Sequence, residues 1–93
     1  MAQNTNISIP QLAWTQITNA DVTSITFQNV SGNYVLVKGT AGETAPTDRQ
    51  GAIRYNTGQG ERNVALADLF PGISATRVWV FTDGGSTVMV SHA

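Results

Sequence analysis

Hydrophobic and polar residues alternate along most of the chain with the two-residue period of strands, and no segment sustains a helical repeat. Residues 14–18 are short and β-prone. Across residues 22–30 the alternation is regular, with Thr23, Ile25 and Phe27 on one side and Ser24, Thr26 and Gln28 on the other. Residues 34–38 are nearly continuous in apolar character, the pattern of a central strand covered on both faces. Further strands are predicted at 51–55, 61–66, 76–82 and 87–91. In the third of these, Arg77, Trp79 and Phe81 share one face and Val78 and Val80 the other. Ala67-Asp68-Leu69-Phe70, ahead of Pro71-Gly72, reads as one helical or 3₁₀ turn closing into a β-turn.

The punctuation between these segments is that of turns. Asn19-Ala20-Asp21, Ser31-Gly32-Asn33, Asn56-Thr57-Gly58-Gln59-Gly60 and Asp83-Gly84-Gly85-Ser86 use residues that accept positive φ at small cost. The second and the last are expected to close hairpins. Residues 39–50, with two Gly and one Pro, are expected to form the longest and most mobile loop. Short strands repeating about every ten residues predict an all-β fold, a small antiparallel β-sandwich or barrel of six to eight strands over residues 12–93. Residues 1–11 read as an N-terminal arm. Ala2-Gln3-Asn4-Thr5-Asn6 offers nothing to a core, and Pro10 stops strand pairing after Ile7 and Ile9. Such an arm is either disordered or ordered only against a neighbouring subunit, which makes Asn4, Asn6, Ile7, Ile9 and Pro10 candidate partner-binding residues.

Composition narrows the possible roles. Ninety-three residues allow one domain and one modest core. Only 12% of them are charged, about half the usual share. Polarity comes from twelve Thr, seven Asn, six Gln and six Ser, so copies of the chain, each with net charge −1, repel one another weakly. That favours assembly. Five scattered cations cannot neutralise a run of phosphates, so nucleic acid is not an expected partner. No stretch reaches the ~20 apolar residues of a membrane span, and residues 1–10 lack the features of a signal peptide, so no membrane partner is expected. The absence of cysteine excludes a disulfide framework, a thiolate metal site and a cysteine nucleophile.

The residues do not spell out a reaction. His92 stands at the end of the last strand, where a partly exposed residue is expected, and one histidine makes no recognisable metal triad. Gly58-Gln59-Gly60-Glu61-Arg62-Asn63 lacks the third glycine and the following helix that a pyrophosphate site requires. The six carboxylates are dispersed, and most fall in turns. The sequons Asn6-Ile7-Ser8 and Asn29-Val30-Ser31 are ascribed to chance in a chain so rich in these residues. The expectation is no catalytic residue, no metal and no cofactor. Trp14, Tyr34, Tyr55 and Trp79 are open to two readings, core packing or a platform for sugar rings. Arg77 near Trp79 and Arg54 beside Tyr55 have the residue types of protein interfaces. Trp14, Tyr55, Arg77 and Trp79 are therefore candidate interface or sugar contacts, and a glycan is a possible partner.

Trp14-Thr15-Gln16-Ile17-Thr18, followed by Asp21-Val22-Thr23-Ser24-Ile25-Thr26-Phe27-Gln28-Asn29, resembles small virion structural proteins of tailed bacteriophages and prophages. Lys38-Gly39-Thr40-Ala41-Gly42 with Ala45-Pro46-Thr47, Asp68-Leu69-Phe70-Pro71-Gly72 and the closing Val90-Ser91-His92-Ala93 are similar too. The resemblance spans most of the chain and carries no catalytic residue across. It implies a capsid decoration or cement protein: small, β-rich, made in the host cytoplasm and located in the virion. Its partners would be the major capsid protein or another virion protein and further copies of itself, most often as a trimer. On this reading the arm clamps a neighbouring shell subunit. Tail or baseplate parts, and a carbohydrate-binding module for host-surface adhesion, are the alternatives.

Overall fold

In the computed structural model, which describes residues 2–93, eight strands and one helical turn follow one another. They are β1 (Gln3–Ile9), β2 (Thr15–Gln16), β3 (Ser24–Gly32), β4 (Val35–Thr40), β5 (Ile53–Tyr55), β6 (Gly60–Ala65), α1 (Leu66–Leu69), β7 (Arg77–Phe81) and β8 (Ser86–His92). The strands form two four-stranded antiparallel sheets, ordered β1-β8-β3-β6 and β2-β7-β4-β5. The ladders β1·β8, β2·β7, β3·β6 and β4·β5 are those of one long hairpin rolled over on itself, closed by β8·β3 and β7·β4. This is the jelly-roll form of the β-sandwich.

The alternation that predicts the strands also builds the core. Ile25 and Phe27 of β3, Val88 and Val90 of β8 and Ile9 of β1 point inward from one sheet. Val35 and Val37 of β4 and Val78 and Val80 of β7 meet them from the other, with Ile17 and Leu66 closing the ends. All are buried, and each fully buried branched side chain contributes roughly 1.5–3 kcal/mol. Gly39 continues the inward row of β4, and the Phe70 ring occupies the space a side chain there would need, 2.7 Å from the position of a Cβ.

Three expectations are corrected. Residues 3–9 are not an arm but the edge strand β1, paired with β8 from Gln3↔His92 to Ile9↔Ser86. The polar sequence hides this because Asn4, Asn6 and Ser8 lie on the outer face while Ile7 and Ile9 supply the inward anchors. The turns at 31–33 and 83–86 do not close hairpins. β3 and β4 belong to different sheets, as do β7 and β8, so both turns are corners at which the chain changes sheet. The two corners bind each other. The Asn33 N–H donates to the Gly85 carbonyl at 3.1 Å, the Ser86 hydroxyl to the Asn33 carbonyl and the Thr82 hydroxyl to the Tyr34 carbonyl at 3.1 Å. Gly32 (φ +98°) lies so close that a Cβ there would stand 2.6 Å from the Gly85 carbonyl. Lastly, His92 is buried, because Gln3 of β1 lies against its ring.

Candidate interaction surfaces

β7 and β4 direct Trp79, Phe81, Leu36 and Lys38 to the outer face of their sheet, and this face is not bare. The Trp79 indole N–H donates to Thr40 Oγ1 at 2.8 Å, and Trp14 packs on Phe81 with ring centroids 5.3 Å apart. The Arg49 guanidinium sits 4.4 Å from the Phe81 centroid and that of Arg54 4.0 Å from the Tyr34 centroid, within cation–π range. Ion pairs extend this layer: Lys38–Asp48 at 3.1 Å, Arg49–Asp83 at 3.3 Å, Arg77–Asp21 at 2.6 Å and Arg77–Glu43 at 3.4 Å. Hydrogen bonding from Arg77 holds the Asp21 carboxyl below the usual carboxylate range, and Lys38 does the same for Asp48. The Tyr34 hydroxyl donates to the Asp83 carboxylate, which raises the phenol's pKa.

The outer face of the other sheet is of different composition. Register places Asn4, Ser91 and Thr26 in one row across β1, β8 and β3, and Asn6, Met89 and Gln28 in the next. Ser8 and Thr87 begin a third. No residue in these rows is charged.

These layers fix where the candidate residues stand. Asn4 and Asn6 are exposed on β1, Ile7 is half-buried, Ile9 is in the core and Pro10 is exposed where β1 ends. Tyr55 faces inward from β5, edge-on to Phe27 with centroids 5.0 Å apart, and its hydroxyl donates to Glu61 at 3.0 Å. Burial and the Glu61 carboxylate both raise the Tyr55 pKa above its ordinary value. Trp79 and Arg77 face outward from β7, so Tyr55 is not brought together with them. A sugar platform needs an open ring face, but Tyr55 and Trp79 are buried and Trp14 is half-covered against Phe81. Asn29, in the second sequon, is buried, its amide donating to the Asn33 and Tyr55 carbonyls.

One surface is absent from the sequence reading. Beside β4 and β5 runs a groove of about 540 Å³, floored by Lys38, Gly39 and Thr40 and walled by Ile53, Pro46, Leu69, Phe70, Pro71 and Ile73. Ile73 is 49% exposed, one of three large apolar side chains so placed among the described residues. Its signal was an isoleucine directly after Pro71-Gly72, where a turn normally carries polar residues. Among the described residues, no three His, Asp or Glu side chains gather as metal ligands. The His92 ring lies against the Gln3 amide and the main-chain oxygen of Ala93, with no hydroxyl among these partners.

No known family matches. Comparison with protein-family models, with curated proteins and with solved structures gives no significant match to the chain.

Proposed function

We propose that the chain is a non-enzymatic structural protein of a tailed-bacteriophage virion, a capsid decoration or cement protein seated on the shell. The observation that carries this reading is the apolar groove beside Ile73. A single small domain that leaves such a groove open beside a half-exposed isoleucine has a contact surface awaiting an apolar partner. In the proposed complex an apolar segment of the shell protein fills the groove against Phe70 and Ile73. Each site contributes only modestly, because burying one such side chain is worth roughly 1.5–3 kcal/mol. Repetition by the symmetry of the shell, with neighbouring sites raising the effective concentration, turns modest contacts into full occupancy. On this reading the contact is the groove and not a free arm, since residues 3–9 are held in the sheet.

The test is re-addition of purified protein to particles stripped of it, followed by imaging and counting of bound copies. Wild-type protein is expected at copy numbers of order tens to hundreds, as shell symmetry requires. Ile73→Asp, which leaves the buried core untouched, is expected to lower occupancy at least about tenfold, since desolvating a carboxylate against an apolar partner is costly. Full occupancy by folded Ile73→Asp sinks the groove as the contact. A handful of copies per particle moves the protein to the tail.

A further inference from the structure

An open sandwich has four sheet edges, and each presents unpaired backbone N–H and C=O groups to any strand that can reach them. Here they are β1 and β6 in one sheet and β2 and β5 in the other. Three are blunted. β2 has two residues and β5 three, too short to template a partner. β6 carries Glu61 and Arg62, is out of register with β3 between Ile25 and Phe27, and holds Asn63 at φ +47°. Charge and bulge are both devices that keep an edge from pairing. β1 has neither. It is seven residues long, keeps unbroken register with β8, contains no charge and no proline, and reaches Pro10 only after Ile9.

We propose that this edge is filled by β1 of a second copy of the chain, antiparallel about a two-fold axis, making one continuous eight-stranded sheet. The inference goes beyond the virion reading and does not depend on it. The strand is complementary to itself. Its midpoint is Asn6, and pairing centred there uses all seven positions, setting Asn6 opposite Asn6, Asn4 opposite Ser8 and Thr5 opposite Ile7 of the other copy. Asn6 amides facing each other can donate and accept in turn, and Thr5 covers the half-buried Ile7. A slip of one residue sends Ile7 to the outer face, and a slip of two loses two of the seven pairs. Charge among the described residues does little to oppose the approach, since the two adjoining rows on β8 and β3 are uncharged and the net charge of the chain is only −1. A contact of this kind closes at two copies, so the assembly is a dimer and not the trimer expected from the resemblance.

The test uses the free full-length protein. Because the chain lacks cysteine, Asn6→Cys carries a single thiol. Directly opposed residues of an antiparallel pair have Cα atoms about 4.5–5.5 Å apart, within disulfide reach. Oxidised glutathione is expected to link Asn6→Cys almost completely into dimers, and Arg62→Cys on the β6 edge at least about tenfold more slowly. Sedimentation equilibrium of the unmodified chain is expected to show a reversible dimer. Asn6→Lys, which sets two ammonium groups face to face, should weaken it several-fold, with partial recovery in high salt. Circular dichroism checks that all three variants fold. A monomer at every concentration, a trimer, or equal linking through Arg62→Cys overturns the proposal. So does an Asn6→Cys thiol that stays unlinked in the free protein yet links to a shell subunit in the particle.

Discussion

Over the outer face of β2-β7-β4-β5 lies a second layer of structure: Trp14 and Arg49 upon Phe81, Arg54 upon Tyr34, then ion pairs at the water boundary. Over the outer face of β1, β8 and β3 there is a single layer of Asn, Ser, Thr and Gln around Met89. Lys38, Arg49, Arg54, Arg77, Asp21, Glu43, Asp48 and Asp83 all make their ion pairs or ring contacts on the first face or its loops. The 12% charge content is therefore not thinly spread. It is concentrated where a half-polar layer screens aromatic rings, leaving the rows across β1, β8 and β3 uncharged up to an unprotected edge, with Arg62 on β6 at the far side. One face is finished within the chain, and the other is suited to being finished by a neighbour.

The largest break in this comparison comes from truncating one outward side chain on each face. Trp79 is buried although it points away from the core, with its indole N–H donating to Thr40. Trp79→Ala should cost about 3–5 kcal/mol, as for an aromatic ring within a core. At this chain length that lowers the melting midpoint by at least about 10 °C. Met89→Ala, at the centre of the uncharged face, should cost about 1 kcal/mol or less. Thermal melts followed by circular dichroism measure both. Similar losses for the two variants would mean that the faces are equally covered.

The sequence made the first face partly legible and the second face's edge not at all. Residues 34–38 read as a central strand, and β4 does lie between β7 and β5, with Val35 and Val37 buried and Leu36 and Lys38 half-buried on the outer face. Trp79 and Phe81 read as one face of their strand and share it. Ile25 and Phe27 alternate with Thr26 and Gln28, so the register of β3 could be read directly. β1 could not, since Gln3, Asn4, Thr5 and Asn6 carry no apolar alternation. What holds them is a backbone ladder to β8 at the far end of the chain, and main-chain bonding leaves no trace in side-chain pattern. The corners fail to show for a related reason. Gly32 and Gly85 take positive φ, which suits a two-residue hairpin and a change of sheet alike. Which of the two occurs is decided by pairing between β3 and β8 and between β4 and β7, all distant in sequence. The groove beside Ile73 needs three separate segments to meet around Gly39, and no local window contains them.

A smaller effect tests what the upper layer contributes beyond area. Arg49→Lys keeps the charge facing Asp83 but loses the planar stack on Phe81. The expected cost is about 0.5–1 kcal/mol, read as a lower urea midpoint with unchanged slope. If Arg49→Lys matches the unmodified protein while Arg49→Ala does not, charge and not stacking holds the layer in place.

The smallest effect is the pH dependence, and its acid limb should belong to the layered face. Asp21 and Asp48 have carboxyl pKa values lowered by Arg77 and Lys38, so their contribution is fully present above the unfolded value near pH 4. It is lost as the pH falls through the lowered folded values, when the carboxylates take up protons and release their cations. Tyr34 and Tyr55 are shifted the other way, so their contribution holds up to about pH 10 and declines above it as the unfolded phenols ionise. The rows of Asn, Ser, Thr and Gln on the opposite face hold no group that titrates. A variant carrying both Asp21→Asn and Asp48→Asn should therefore show a shallower stability loss between pH 4 and about pH 2 in urea titrations. Substituting Asn6 by Asp should steepen association with falling pH, by placing one new carboxylate opposite its copy on a face that otherwise does not respond. An acid limb as steep in the double variant as in the unmodified chain would remove the layered face as its source.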